Sequence, residues 1–334
     1  MLTKLNVKMR VLLCIICSIN PINFLVSGFH GNTDPLFIFL ILLAIYFAEN
    51  KFIFFSGLLY GLSLCIKIVP IILAPMFIFY MGTKKEKVIF ILSSLIIPVI
   101  VFSPYLISDF LAIKQNVFQY GSLTGIWGFQ HILKAIFTNE SINSETRKLA
   151  YEIFKWHISY GRLLLLGIIL GMSKVFMSSK KLSLTKGIFF VFCLFLSITP
   201  GFGVQYLSWL SYYAVMVTPV LGTIYLLVGG IFLYRVYNYW GGGVSPYYAN
   251  SDAVGQWVGF EQTLDILLWT IVIMMLTWFL LKNFTPRQKA PPVKAGMNGV
   301  GSGFARANPA IKDATAVKPW SFTIFKKVTN ICLK

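Results

Sequence analysis

The sequence predicts an all-α membrane protein, a polytopic bundle of about ten transmembrane helices with several short or broken. Three observations predict it. Of the 334 residues, 57% are hydrophobic and only 12% charged, where a soluble chain carries roughly 25% charged residues. The mean hydropathy of +0.75 comes from continuous apolar runs, not from the alternating segments of a barrel. The remaining charges cluster between those runs, as loops between spans do.

The first run, residues 11–26, is interrupted at Asn20-Pro21. Basic residues precede it, as in a signal peptide, but no small-residue cleavage pattern follows. The polar stretch from Ser27 to Pro35 cannot lie in lipid and must face water or a protein cavity. Residues 35–48 return toward Lys51. Two short helices are expected at 52–66 and 68–80, broken around Lys67-Ile68-Val69-Pro70, and a longer one at 88–107.

An amphipathic outer loop is expected over 108–160, followed by spans at 163–177 and 187–198. The run 207–234 reads as one long span or as two turning at Thr218-Pro219. Charge favours two. Together with a last span at 263–281, two spans put both termini and every basic cluster on the cytoplasmic side. The organisation expected is therefore a transmembrane domain over 1–281 and a basic tail over 282–334. The tail is rich in Gly, Pro, Ala and Lys, and is expected to be disordered.

The net charge of +18 does not point to nucleic acid, because the basic residues form no single soluble patch. They sit beside spans, at Lys4, Lys8 and Arg10, at Lys84, Lys85 and Lys87, and at Lys180, Lys181 and Lys186. Anionic membrane lipid is the partner such clusters fit. Cys14, Cys17, Cys65 and Cys193 lie in apolar runs and read as small buried thiols in the reduced state.

Under this topology the chemically unusual residues converge on the side away from the cytoplasm, periplasmic, extracellular or lumenal. They are His30, Asn32 and Asp34 after the first span, and Lys67 at the tip of the short hairpin. Gln205 and Tyr206 follow Gly-Phe-Gly, and Trp127 with His131 lies in the long loop. Simpler roles compete. Asp34 beside Pro35 suits a helix N-cap. Lys67 needs a counter-charge or a route to the interface. Gln205 and Tyr206 suit interhelical packing, and Trp127, Trp209, Trp240 and Trp257 suit an aromatic belt. There is no metal-ligand cluster, phosphate-binding loop or triad spacing, so no metal or cofactor is predicted.

Several of these stretches recur in a fixed order. They are Asn20-Pro21, the Ser-Gly-Phe-His-Gly-Asn-Thr-Asp-Pro run, and Gly57 and Gly61 before Ile66-Lys67-Ile68-Val69-Pro70. The last is Pro200-Gly-Phe-Gly-Val-Gln-Tyr-Leu-Ser-Trp209. Together, from about Ser18 to Trp257, they resemble polytopic glycosyltransferases of the GT-C fold, closest to glycosyltransferase family 87. The resemblance implies inverting transfer of a hexose, often mannose, from a polyprenyl-phosphate-linked donor to a glycan or lipid acceptor on the outer membrane face. It casts Lys67 on the phosphate side and has His30, Asp34, Gln205 and Tyr206 line the substrate pocket; Asn32 and Trp127, which converge on the same side, are expected to bind substrate beside them. Asp34 stands as the available carboxylate base. Such enzymes usually carry the catalytic acid in an outer loop before the region matched, and this sequence reaches Asn20-Pro21 almost at once. The expectation is an N-terminally truncated form. A transporter or flippase, or a non-catalytic subunit that holds a lipid donor, are the alternatives.

Overall fold

The computed structural model describes residues 7–115, 122–178, 182–241 and 259–284. The described chain is a polytopic membrane helix bundle. Among the described residues there is no strand, only a single antiparallel bridge between Leu123 and Phe202. Among the described residues, five helices are long and apolar enough to cross a membrane: Val11–Phe29, Lys84–Ser108, Ser144–Met177, Pro219–Trp240 and Phe260–Phe284. Shorter apolar helices include Ile53–Ile66, which is partly exposed, and Leu184–Ile198, which is mostly buried.

Helix α1 (Val7–Ser18) is broken where the sequence predicts. The Oδ1 of Asn20 accepts from the backbone N–H groups of Ile22 and Asn23 at 3.1 and 3.3 Å, and so caps α2 (Pro21–Phe24). Proline at the first helical position costs nothing there, because that N–H has no intrahelical partner anyway. A π-turn, Leu25–Phe29, follows. Gly31, at φ +68°, then turns the chain into α3 (Asp34–Glu49).

Helix α3 pairs with α4 (Ile53–Ile66), and Ser56 Oγ donates across the hairpin to the Ala44 carbonyl at 2.8 Å. The helix stops at Lys67, which is extended (φ −148°, ψ 144°). A 3₁₀ turn, Val69–Leu73, and α5 (Ala74–Tyr80) run back, so that the Lys51 ammonium lies 5.9 Å from the centre of the Tyr80 ring. Lys67 is thus the tip of a short helical hairpin, as the sequence predicts.

Helix α6 (Lys84–Ser108) opens with a capping box made by Thr83 and Glu86, and packs closely along α4. The approach depends on Gly57 and Gly61. A Cβ at Gly57 would stand 2.7 Å from the Phe90 carbonyl oxygen, and one at Gly61 2.4 Å from that of Ser94. Small residues four apart are a standard device for bringing membrane helices together. The far side of α6, including Leu92, Val99 and Ile100, is exposed, as a lipid-facing surface should be.

The expected loop 108–160 is largely helical. It contains α7 (Phe110–Ile113), α8 (Gly128–Thr138) and the first half of α9, which runs unbroken over Ser144–Ser178. Asn143 caps α9 by accepting from the Thr146 N–H at 2.8 Å. Its first turns are charged, so an apolar-run criterion starts the helix too late. Helices α10 (Leu184–Ile198), α11 (Leu207–Val217), α12 (Pro219–Trp240) and α13 (Phe260–Phe284) complete the bundle.

The ambiguous run after Leu207 is two helices turning at Thr218-Pro219. Gly222 lets the return helix lie against the backbone of Ala214, where a Cβ would come within 2.4 Å. The described residues, all within Met1–Thr285, form one compact unit. Of the tail expected at 282–334, residues 282–284 are the end of α13 and the rest lies outside the described residues.

Candidate functional site

One end of the bundle collects the polar groups. Asp34, the first residue of α3, is fully buried. One carboxylate oxygen pairs with the ammonium of Lys67, and the other accepts from the Trp209 indole N–H at 2.8 Å. Asn32 joins them, its Oδ1 accepting from Lys67 Nζ at 3.2 Å and from the Asp34 backbone N–H at 3.2 Å. His30 approaches from the preceding turn, with Nδ1 2.8 Å from the Tyr237 hydroxyl on α12 and the two rings edge to face.

Three of these residues come from the polar stretch between α2 and α3, one from the α4 tip and one each from α11 and α12. The geometry corrects two simpler readings. Asp34 is not an N-cap: Thr33 holds that position without a side-chain cap, and the carboxylate is spent on Lys67 and Trp209. Lys67 does not snorkel; it is anchored at Asp34 and Asn32. Its side chain remains 24% exposed against 0% for Asp34. An ammonium has three N–H groups, and among the described residues two partners are present, which leaves one for an anion. Burial first, and then the Lys67 charge, lower the pKa of His30, so its imidazole is neutral at pH 7.

A second cluster meets the first through aromatic rings. Trp127 stacks on Phe202 at 4.1 Å between centroids and 7° between planes. Phe202 meets Tyr206 edge-on at 6.0 Å, and Tyr206 lies 4.1 Å from Trp209. The Leu123–Phe202 bridge ties the segment before α8 to the segment before α11. Gln205 is buried and folded against Gly203, where a Cβ would be 2.7 Å from its Nε2. Trp127, Trp209 and Trp240 are buried, so none of them is a belt residue facing lipid, and Trp257 lies outside the described residues.

The second cluster is organised by the end of α10. The last carbonyls of a helix lack intrahelical donors, and here three ring N–H groups supply them. Trp127 Nε1 donates to Leu196 O at 2.7 Å, Trp269 Nε1 to Ser197 O at 2.9 Å, and His157 Nε2 to Ile198 O at 3.0 Å. A carbonyl only accepts, so the His157 hydrogen is on Nε2 and Nδ1 receives the Gln130 amide N–H at 3.1 Å. Gln130 Oε1 accepts in turn from the Gly125 N–H at 2.8 Å. Beside this network, His131 Nδ1 pairs with the fully buried carboxylate of Asp265.

Residues 26–137 match the family model described as Mannosyltransferase (PIG-M). The match supports a membrane mannosyltransferase. It spans His30, Asn32, Asp34, Lys67 and Trp127, and ends before Gln205 and Tyr206. No curated protein and no solved structure matches the chain.

The sequence reading missed Tyr237, Gln130, His157 and Asp265. Asp265 carried a signal, since it is an acidic residue inside the apolar run 263–281, and ionisable groups at such positions are costly enough to mark function. Tyr237 carried none, being one of several aromatic residues in α12. Among the described residues no three His, Cys, Asp or Glu side chains are grouped to hold a metal ion. Cys14 and Cys17 stand at Cys-x-x-Cys spacing on α1. Both are free thiols, and Cys14 is exposed, not buried. A groove of about 490 Å³ beside Lys51, Lys85 and Glu86 lies at the opposite end of α4 and belongs to neither cluster.

Proposed function

We propose that the chain is a membrane mannosyltransferase that takes its sugar from a polyprenyl-phosphate-linked donor and passes it to a glycan or lipid acceptor. The reaction takes place on the membrane face opposite the Lys-rich loops. One observation carries this reading: an ammonium at a helix break, locked by a buried carboxylate, with one N–H still open at the bundle end. Such a group meets the phosphate of a lipid donor without having to be ordered first, and it stabilises the charge that builds on the leaving phosphate. His30 and Asn32 border it and supply neutral polar contacts for the sugar. Tyr206, Gln205 and Trp127 form the adjoining wall.

Asp34 then holds Lys67 in place, since both of its oxygens are already engaged. The family match over residues 26–137 supports the sugar class. The order of the Gln205-Tyr206 element beyond it agrees with the GT-C resemblance. The break at Lys67 would also suit a transporter, whose sites use discontinuous helices, so the test must separate the two.

Purified protein in liposomes, given polyprenyl-phosphate [³H]mannose and a membrane extract as acceptor source, is expected to move label into a new glycoconjugate. Lys67→Ala is expected to lower this transfer by about 100-fold or more, the scale of losing one charge-stabilising group. Passage of the donor across the bilayer without transfer would favour the transporter. Undiminished transfer by Lys67→Ala would remove Lys67 from the site.

A further inference from the structure

The proposed transfer needs a group to take the acceptor's proton, and Asp34 is poorly placed for it. Asp34 is fully buried, with one oxygen on Lys67 and the other on Trp209. An acceptor hydroxyl would have to displace one of these partners.

Asp265 is arranged differently. It lies on α13 at 0% exposure and pairs with Nδ1 of His131 on α8. The carboxylate accepts, so a ring hydrogen is on Nδ1, and whenever the ring carries that hydrogen alone its lone pair is on Nε2. Among the described residues Nε2 has no hydrogen-bond partner. His131 keeps 14% side-chain exposure, against 0% for Asp265. An ionisable pair in an apolar helix is expensive to keep, and a carboxylate fixing an imidazole tautomer is how a general base is held.

His131 begins one helical turn after Trp127, its N–H on the Trp127 carbonyl at 3.3 Å. From Trp127 the rings of Phe202, Tyr206 and Trp209 lead to Asp34 and Lys67. Gly128, at φ +51°, seats the start of α8 directly on Trp269 of α13, where a Cβ would be 2.4 Å from the indole. That contact sets the spacing of the two helices one turn from the pair.

We infer that His131, oriented by Asp265, is the base for the acceptor hydroxyl; the inference rests on the transferase reading above. The acceptor oxygen forms its bond to the anomeric carbon as the bond from that carbon to the lipid-phosphate oxygen breaks. The electron pair leaves on the phosphate, beside Lys67. The hydroxyl proton passes to His131 Nε2, and Asp265 stabilises the imidazolium.

The test uses the full chain in liposomes with polyprenyl-phosphate [³H]mannose, read for donor binding and for transfer separately. His131→Ala and His131→Gln are expected to bind donor as the wild type does and to lose transfer by about 100-fold or more. Added imidazole is expected to restore part of the His131→Ala rate. Asp265→Asn, which disturbs the tautomer but keeps the shape, is expected to slow transfer with donor binding intact. Near wild-type transfer in both His131 variants overturns the inference. So does loss of donor binding together with transfer, or a His131→Ala defect that imidazole leaves unchanged, since either marks a structural role. A wild-type protein that binds no polyprenyl-phosphate sugar contradicts the transferase reading itself, and this inference with it.

Discussion

The indole N–H of Trp209 donates to one oxygen of Asp34 at 2.8 Å, while the other oxygen holds Lys67. A residue on α11 therefore fixes, from the far side, the carboxylate that fixes the cation. Three separate stretches of chain must be in register before Lys67 can face an anion.

Breaking this pair is expected to be costly, because removing one partner leaves the other charge buried and alone. Lys67→Ala, which strands the fully buried Asp34 carboxylate, is expected to destabilise by up to about 4 kcal/mol, and Asp34→Ala less, because the ammonium it leaves is partly exposed. The double variant is expected to be more stable than Lys67→Ala alone. Thermal unfolding in detergent of the two single variants and the double measures the coupling. Simple additivity of the single effects would mean that the ion pair contributes nothing.

Gly61→Ala tests how α4 places Lys67. The added methyl would sit 2.4 Å from the Ser94 carbonyl oxygen, which is backbone and cannot swing aside. The helices must separate, at a cost of about 1–3 kcal/mol. Because α4 ends at Lys67, transfer is expected to fall as well, although the residue lies well down the helix from the tip. Full stability in Gly61→Ala would show that α4 and α6 are not in close contact.

His30 gives a pH dependence with a definite sign. Its pKa in the folded protein is lowered from 6.5, by burial first and by Lys67 second. As pH falls below 6.5, the unfolded chain takes up a proton on this ring before the folded one does, so stability rises with pH across that window and declines on acidification. His30→Gln, which cannot titrate, is expected to lose less stability than wild type between pH 7.5 and about 5.5. Melting temperatures of both proteins over that range check it, and parallel curves would contradict it.

Much of this end of the bundle was legible in the sequence. Polar residues that cannot face lipid stand out in an apolar chain, so His30, Asn32, Asp34 and Lys67 announce themselves. Asn20-Pro21 and Lys67-Ile68-Val69-Pro70 mark helix breaks by local chemistry, as does Thr218-Pro219. The start of α9 was not legible, because its first turns are charged and held by the Asn143 cap, not by apolar periodicity. Nor was the role of Trp209. An indole at a span end reads equally as a belt residue or a buried donor, and only the position of Asp34 across the bundle decides. The capping of α10 by Trp127, Trp269 and His157 joins positions far apart in the chain, which no local pattern reports.

The central claim is that Lys67 is a phosphate-binding cation, and binding tests it without any assumption about the acceptor. Purified wild-type protein is expected to bind a polyprenyl phosphate in preference to the uncharged polyprenol. Lys67→Ala is expected to lose that preference, by about tenfold or more in affinity for the phosphate. Equal binding of phosphate and alcohol by the wild type, or an unchanged preference in Lys67→Ala, would contradict the account.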